Sequence, residues 1–193
     1  MTTSKPQARR GRPPKVARSF DDTREALLHC GMEVLTEQGF AATGIDAVLK
    51  RVRVPKGSFY HYFDSKEAFV QQVLQRYAAY FARKLDRWLL DESVLPLRRL
   101  SNFVEDAKAG MARHQFRRGC LVGNLGQEIT ALPASFRQTL ENVLLDWQVR
   151  LANCLTEAVH LGQLRQDSDC DALAAYFWIC LLYTSDAADE EDS

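Results

Sequence analysis

No run of eighteen apolar residues occurs in these 193 residues, so no membrane-crossing helix is predicted. The opening segment, MTTSKPQARR, lacks the apolar stretch of a secretory signal. The five cysteines include no Cys-x-x-Cys pair. That spacing argues against a zinc site and against a disulfide framework, and it fits a reducing, cytoplasmic setting. Neither a metal nor a cofactor is expected. No alternating strand pattern competes with helical periodicity. GNLGQE, residues 123–128, is no phosphate cradle, because it lacks G-x-G-x-x-G spacing and follows no strand. Net charge is absent too, but the zero is a sum of unequal parts. Residues 1–66 hold twelve Lys/Arg and seven Asp/Glu, residues 67–185 thirteen of each, and residues 186–193 five acids and no base. The excess cations gather in the first third, which is what a polyanionic partner requires.

What is present is helical. Hydrophobic residues make up 46% of the chain, enough for a sizeable core at this length. Residues 1–20 are polar, carry six Lys/Arg and cannot build a core, so they read as a disordered basic arm. Asp22 with Glu25 predicts a capping box, and Leu27, Leu28, Gly31, Val34 and Leu35 then recur at helical spacing up to Gly39. Thr43, with Asp46 three residues on, opens a second helix through Arg51. Pro55 suits the first position of a third, running to Phe63. Ser65 caps a long fourth helix with the stripe Phe69, Val73, Tyr77, Phe81, Leu85 and Trp88. Leu97 to Met111 form another stripe, residues 119–132 predict a bent helix, and Pro133 starts a long one that Gly162 stops. Asp169 or Asp171 opens the last. The fold class is all-α. A small bundle spans residues 21–66, and a larger one spans residues 67–179.

The stretch RVRVPKGSFYHYFDSK, residues 51–66, crowds four aromatic rings into five positions beside several cations. Two short helices joined by a tight turn and braced by the first helix outline a helix-turn-helix. In that motif the second helix enters the major groove by its N-terminal residues. Phe59 and Phe63, four apart, share a face and anchor the helix. Lys56 and Ser58 offer donors, Gly57 clears space for a backbone to approach phosphate, and Tyr60, His61 and Tyr62 join ring bodies to polar tips. A small aromatic core with surface lysines reads equally well from spacing alone.

The segment TGIDAVLKRVRVPKGSFYHYFDSKEAF resembles the DNA-binding domain of the TetR family of bacterial transcriptional regulators, over roughly residues 22–70. The resemblance implies a homodimeric repressor that binds a double-stranded DNA operator and whose C-terminal helices take a small effector. Carried over by position, Gly44 to Phe63 form the helix-turn-helix. The DNA-contacting set becomes Thr43, Gly44, Arg53, Pro55, Lys56, Gly57, Ser58, Tyr60, His61 and Tyr62, with Lys66 on phosphate. Where the family often has Ser or Thr, this chain has Val54, so the usual cap is missing. The later segment MARHQFRRGCLVGNLGQEITALPASFRQTL is similar to the acrylate-responsive repressors and, more loosely, to the repressor of N-ethylmaleimide reductase. That similarity implies an acrylate-like acid or other electrophile as effector.

The pocket set read here is Phe103, Arg117, Arg118, Cys120, Asn124, Gln127 and Trp147, with Asn124 and Gln127 as polar fixtures. Cys120 has two readings. It is either a small buried hydrophobe or an electrophile sensor whose thiolate is favoured by Arg117 and Arg118. RRGRP, residues 9–13, reads either as a minor-groove hook through Arg10 and Arg12 or as a solubilising tail. CLLYTSDAADE, residues 180–190, breaks the helical pattern and reads either as translated sequencing adapter, which it resembles and which would put the natural end near Ile179 and make residues 180–193 a non-native tail, or as a genuine acidic, disordered tail. Two rivals to a ligand-responsive repressor stand: a cysteine-dependent enzyme built on Cys120, and a helical interaction protein without DNA binding.

Overall fold

The computed structural model describes residues 19–130 and 132–190, the stretch 182–190 as backbone alone. The basic arm with Arg10 and Arg12 lies outside the described residues, as do the side chains of the acidic tail. Eight helices and no strand account for the regular structure among the described residues. Helix α1 is Phe20–Gln38. Its capping box is formed by Ser19 and Asp22 rather than by Asp22 and Glu25. The Ser19 hydroxyl accepts from the Asp22 N–H at 3.0 Å, while the Asp22 carboxylate accepts from the Ser19 N–H at 3.3 Å. Glu25 is instead drawn to Arg76. The helix stops at Gly39, whose φ of 73° lies in the region glycine tolerates best.

Helices α2 (Ile45–Val52) and α3 (Lys56–Phe59) follow, then the long α4 (Lys66–Leu89), capped by Ser65 as its position predicts. Gly44, not Thr43, precedes the first turn of α2. The Thr43 hydroxyl donates back to the Gly39 carbonyl, and the residue is buried. Pro55 is the capping residue of α3 rather than its first helical residue. That helix is shorter than the expected Pro55–Phe63. Beyond Phe59 the chain continues as turns, with the N–H groups of His61 and Tyr62 donating to Ser58 and Phe59. A single turn carrying Gly57 has too few helical hydrogen bonds to propagate further.

The second half comprises α5 (Pro96–Arg113), α6 (Leu121–Gln127), α7 (Ala134–His160) and α8 (Cys170–Glu190). The expected bent helix over residues 119–132 is only the short α6. Asp169, not Asp171, caps α8, accepting from the Ala172 N–H at 2.9 Å. The backbone of α8 stays helical across the point where a break was expected, because that segment contains neither Gly nor Pro.

α4 is the spine, packing on α1 on one side and on α5 and α7 on another. Gly31 lets α1 and α4 close together, since a Cβ there would overlap the Phe69 ring. In the second half one buried cation ties three elements. Arg99 is 3% exposed, donates to the Leu89 and Val94 carbonyls, and holds both carboxylate oxygens of Glu157.

Candidate DNA interface and effector cavity

The two rings that the spacing marks as anchors point inward. Phe59 and Phe63 are buried and meet edge-on with Phe69 of α4, with centroids 5.5 and 4.8 Å away. Such T-shaped contacts add to the burial of the rings themselves. Tyr60 is 61% exposed and His61 is exposed beside it. Tyr62 is only half-buried and stacks on Phe20 at 4.5 Å, so it also fastens the start of α1. Lys56 opens α3 at its other end, its side chain 72% exposed, in a loose pair with Asp46 at 3.1 Å. A Cβ at Gly57 or at Gly44 would meet nothing, so both leave open surface. Arg53 is exposed and closes α2 with a positive φ of 61°.

Two members of the expected DNA set face elsewhere. Thr43 is buried, as described. The Lys66 ammonium donates to the Phe40 carbonyl at 2.8 Å and sits 4.1 Å over that ring. Burial lowers its pKa, opposed by the nearby charges of Glu67 and Glu128.

Between α1, α4, α5, α6 and α8 lies a cavity of about 280 Å³. Its wall takes Phe81 and Trp178 from an aromatic cluster that also holds the fully buried Trp147, with Phe81 4.3 Å from Trp147 and Trp178 5.2 Å from it. Phe103, Arg118 and Cys120 line it, as the sequence predicts. The other expected members do not. Trp147 packs behind the wall, and Arg117 and Gln127 are exposed outside the lining. Asn124 turns toward α1, its amide donating to the Thr36 carbonyl at 3.1 Å. Arg118 reaches the cavity but is already held by Glu37 at 3.0 Å and Glu33 at 3.2 Å.

Cys120 precedes the first turn of α6. Its Sγ accepts a weak hydrogen bond from the Tyr77 hydroxyl at 3.6 Å. Burial pushes the thiol pKa up, and the hydrogen bonds from Gly123, Tyr77 and Val122 do not offset it. Burial likewise raises Tyr77 well above its ordinary value. The arginines read as thiolate-stabilising are spent on carboxylates or turned outward, so Cys120 stays a neutral thiol. Sequence reasoning missed His29, Tyr77, Lys84, Arg113 and Trp178 as lining residues. Only helix packing brings them together, and no local pattern marks them.

Residues 27–73 match the family described as bacterial regulatory proteins, tetR family, and residues 96–189 match the tetracyclin repressor-like C-terminal domain. The chain is 52% identical over 171 residues to the transcriptional regulator AcuR of Cereibacter sphaeroides, covering 89% of this chain and 78% of that one. It is 34% identical over 120 residues to the HTH-type transcriptional repressor NemR of Escherichia coli, covering 62% and 60%. A crystal structure of a regulatory protein TetR from Rhodobacter sphaeroides superposes with a TM-score of 0.85 at 50% identity, covering 88% and 89%.

Proposed function

Since this chain belongs to the TetR family, whose members are DNA-binding transcriptional regulators and not enzymes, we propose that it is a repressor that leaves its operator when a small carboxylic acid fills the α1–α4–α5–α6–α8 cavity. Regulators of this family bind operator DNA and small-molecule effectors, typically as dimers. Residues 21–66 are then the DNA-binding unit and residues 67–179 the effector and dimerisation unit. Lys56, Gly57, Ser58, Tyr60 and His61 carry operator contact. The exposure of Lys56, Gly57, Tyr60 and His61 supports this, while the buried rings hold α3 in place.

One observation carries the choice of an acid. Five basic side chains line the cavity (His29, Lys84, Arg113, His114 and Arg118) against a single acidic one, Glu33, above an apolar floor. Lys84 is paired with Asp106 at 2.8 Å and Arg118 with Glu33 and Glu37, whereas Arg113 makes no ion pair within 4.0 Å among the described residues and acts on Asp106 only through its charge. Arg113 therefore meets the ligand carboxylate. At about 280 Å³ the cavity is at the small end for ligand sites, roughly 300 Å³ and upward, which favours a compact acid such as acrylate over a bulky thioester. The neutral Cys120 thiol sits beside the ligand without adding to it.

The test is a gel shift on DNA from immediately upstream of the gene, with acrylate and its saturated analogue titrated in. Release by short acids, lost in Arg113→Ala, is the expected result. Failure of the parent to shift that DNA overturns the repressor reading, and failure of every short acid to release it overturns the effector class.

A further inference from the structure

The two halves of the chain are joined by α4, and they also touch at a second junction, where the end of α1 and the loop after it meet the elements around α6. The Thr36 carbonyl accepts from the Gly119 N–H at 3.2 Å and from the Asn124 amide at 3.1 Å. Glu37 accepts from Arg118 at 3.0 Å and from Arg51 of α2 at 2.9 Å, so one carboxylate spans three elements. Burial alone would raise the Glu37 pKa, but hydrogen bonds from Arg51 and Arg118 outweigh it and hold the carboxyl below its ordinary range.

Glu128, at the C-terminal end of α6, reaches furthest. One of its oxygens accepts from two consecutive backbone amides of the α1–α2 loop, Phe40 at 2.8 Å and Ala41 at 2.9 Å. Its other oxygen fills the space where a Cβ at Gly39 would stand, so a side chain at that positive-φ position would collide with it. Lys66, whose charge also feels Glu128, holds the same loop through the Phe40 carbonyl, and the Phe40 ring leans on Phe136 of α7 at 6.1 Å. Four residues beyond Ala41 the helix-turn-helix begins at Ile45.

We propose that Glu128 is a positioning residue for operator recognition: its carboxylate, bound to the Phe40 and Ala41 amides, sets the seating of α2 and α3 relative to the effector half. The proposal rests on the repressor reading above. Glu128 does not line the effector cavity. It acts through the loop. The opposite end of the same short helix starts at Cys120 in the cavity wall, so α6 has one end on the ligand and the other on the loop. A charged acceptor on two backbone amides is the strong kind of hydrogen bond, and nothing else among the described residues takes those two N–H groups.

The test compares full-length parent, Glu128→Ala and Glu128→Gln. It measures operator affinity on the upstream DNA fragment across a salt series, acrylate affinity by calorimetry, and Tm. Glu128→Ala should weaken operator binding about tenfold, equivalent to about 1.4 kcal/mol. The log–log salt slope should not change, because no phosphate contact is lost. Acrylate affinity should stay within about twofold, which shows that the effector half is folded. Glu128→Gln keeps a carbonyl oxygen for the same two amides and should recover most of the loss. An Ala variant that binds operator like the parent overturns the proposal, as does a Gln variant as weak as Ala. A fall in acrylate affinity matching the fall in operator affinity also overturns it, since general destabilisation then explains both. Absence of any shift by the parent removes the repressor reading and this proposal together, so the two failures are distinguishable.

Discussion

At the scale of single residues, charge and backbone strain can be separated in the recognition segment. Lys56 pairs with Asp46 only at the surface, where such pairs contribute about 0–1 kcal/mol, so the lysine is free to exchange its carboxylate for phosphate. Lys56→Ala should therefore weaken binding to all sequences alike and lower the log–log salt slope by about one unit. An unchanged slope in a fluorescence-anisotropy salt series would remove Lys56 from the phosphate set. Arg53 is the complementary case. It closes α2 with φ at 61°, a conformation that costs a residue bearing a Cβ about 1 kcal/mol relative to glycine. Arg53→Gly should stabilise the fold by up to about 1 kcal/mol in urea denaturation while weakening DNA binding. Loss of both stability and binding would mean that the Arg53 side chain supports the turn itself.

At the scale of elements, the sequence predicts well wherever one helix face decides the outcome. The α4 stripe is legible because Phe69, Val73, Tyr77 and Leu85 recur at helical spacing, and all four are buried. The ends of short elements are less legible. Ser19, which caps α1 with Asp22 as its partner, stands outside the apolar periodicity, and the last turns of the recognition segment depend on packing rather than propensity. The cavity was legible only in part. Cys120, Arg118 and Phe103 come from a marked segment and a stripe, but Arg113 and Tyr77 join them through tertiary packing alone. The sequence also says nothing of Glu33 and Glu37, which consume the charge of Arg118 and leave the thiol neutral. Operator release by acrylate in Cys120→Ser should consequently match the parent within about twofold, since serine can still accept from Tyr77. Loss of release in that variant, together with a mass increase of the parent by one acrylate, would establish covalent sensing instead.

At the scale of the whole molecule, the monomer leaves apolar surface uncovered on one side. Leu145 and Val149 of α7 and Leu173, Tyr176 and Ile179 of α8 are all more than two-fifths exposed, and these two helices pack against each other. We expect this joint face to meet its copy in a homodimer. A recognition helix of a single turn makes few base contacts, so tight operator binding needs two half-sites roughly 34–36 Å apart, and thus two protomers. Val149→Glu adds a charge at an exposed position and should leave the monomer folded. It should raise the dimer dissociation constant at least about tenfold, as burying an unpaired carboxylate demands. Sedimentation velocity over a concentration series reads this directly, and an unchanged constant would move the interface elsewhere.

The ring cluster behind the cavity turns the protein into its own optical gauge. Of the three tryptophans, Trp147 and Trp178 are buried in that cluster, each with an indole N–H that has no acceptor among the described residues, and Trp178 forms part of the wall. Indole emission follows local polarity, so a carboxylate arriving beside Trp178 should change the intrinsic fluorescence in proportion to occupancy. Trp88 is engaged with Asp106 at 3.3 Å and contributes a steady background. Candidate acids can then be ranked on unlabelled protein in the absence of DNA. An acid that releases the operator yet leaves the emission untouched must be acting somewhere other than this cavity.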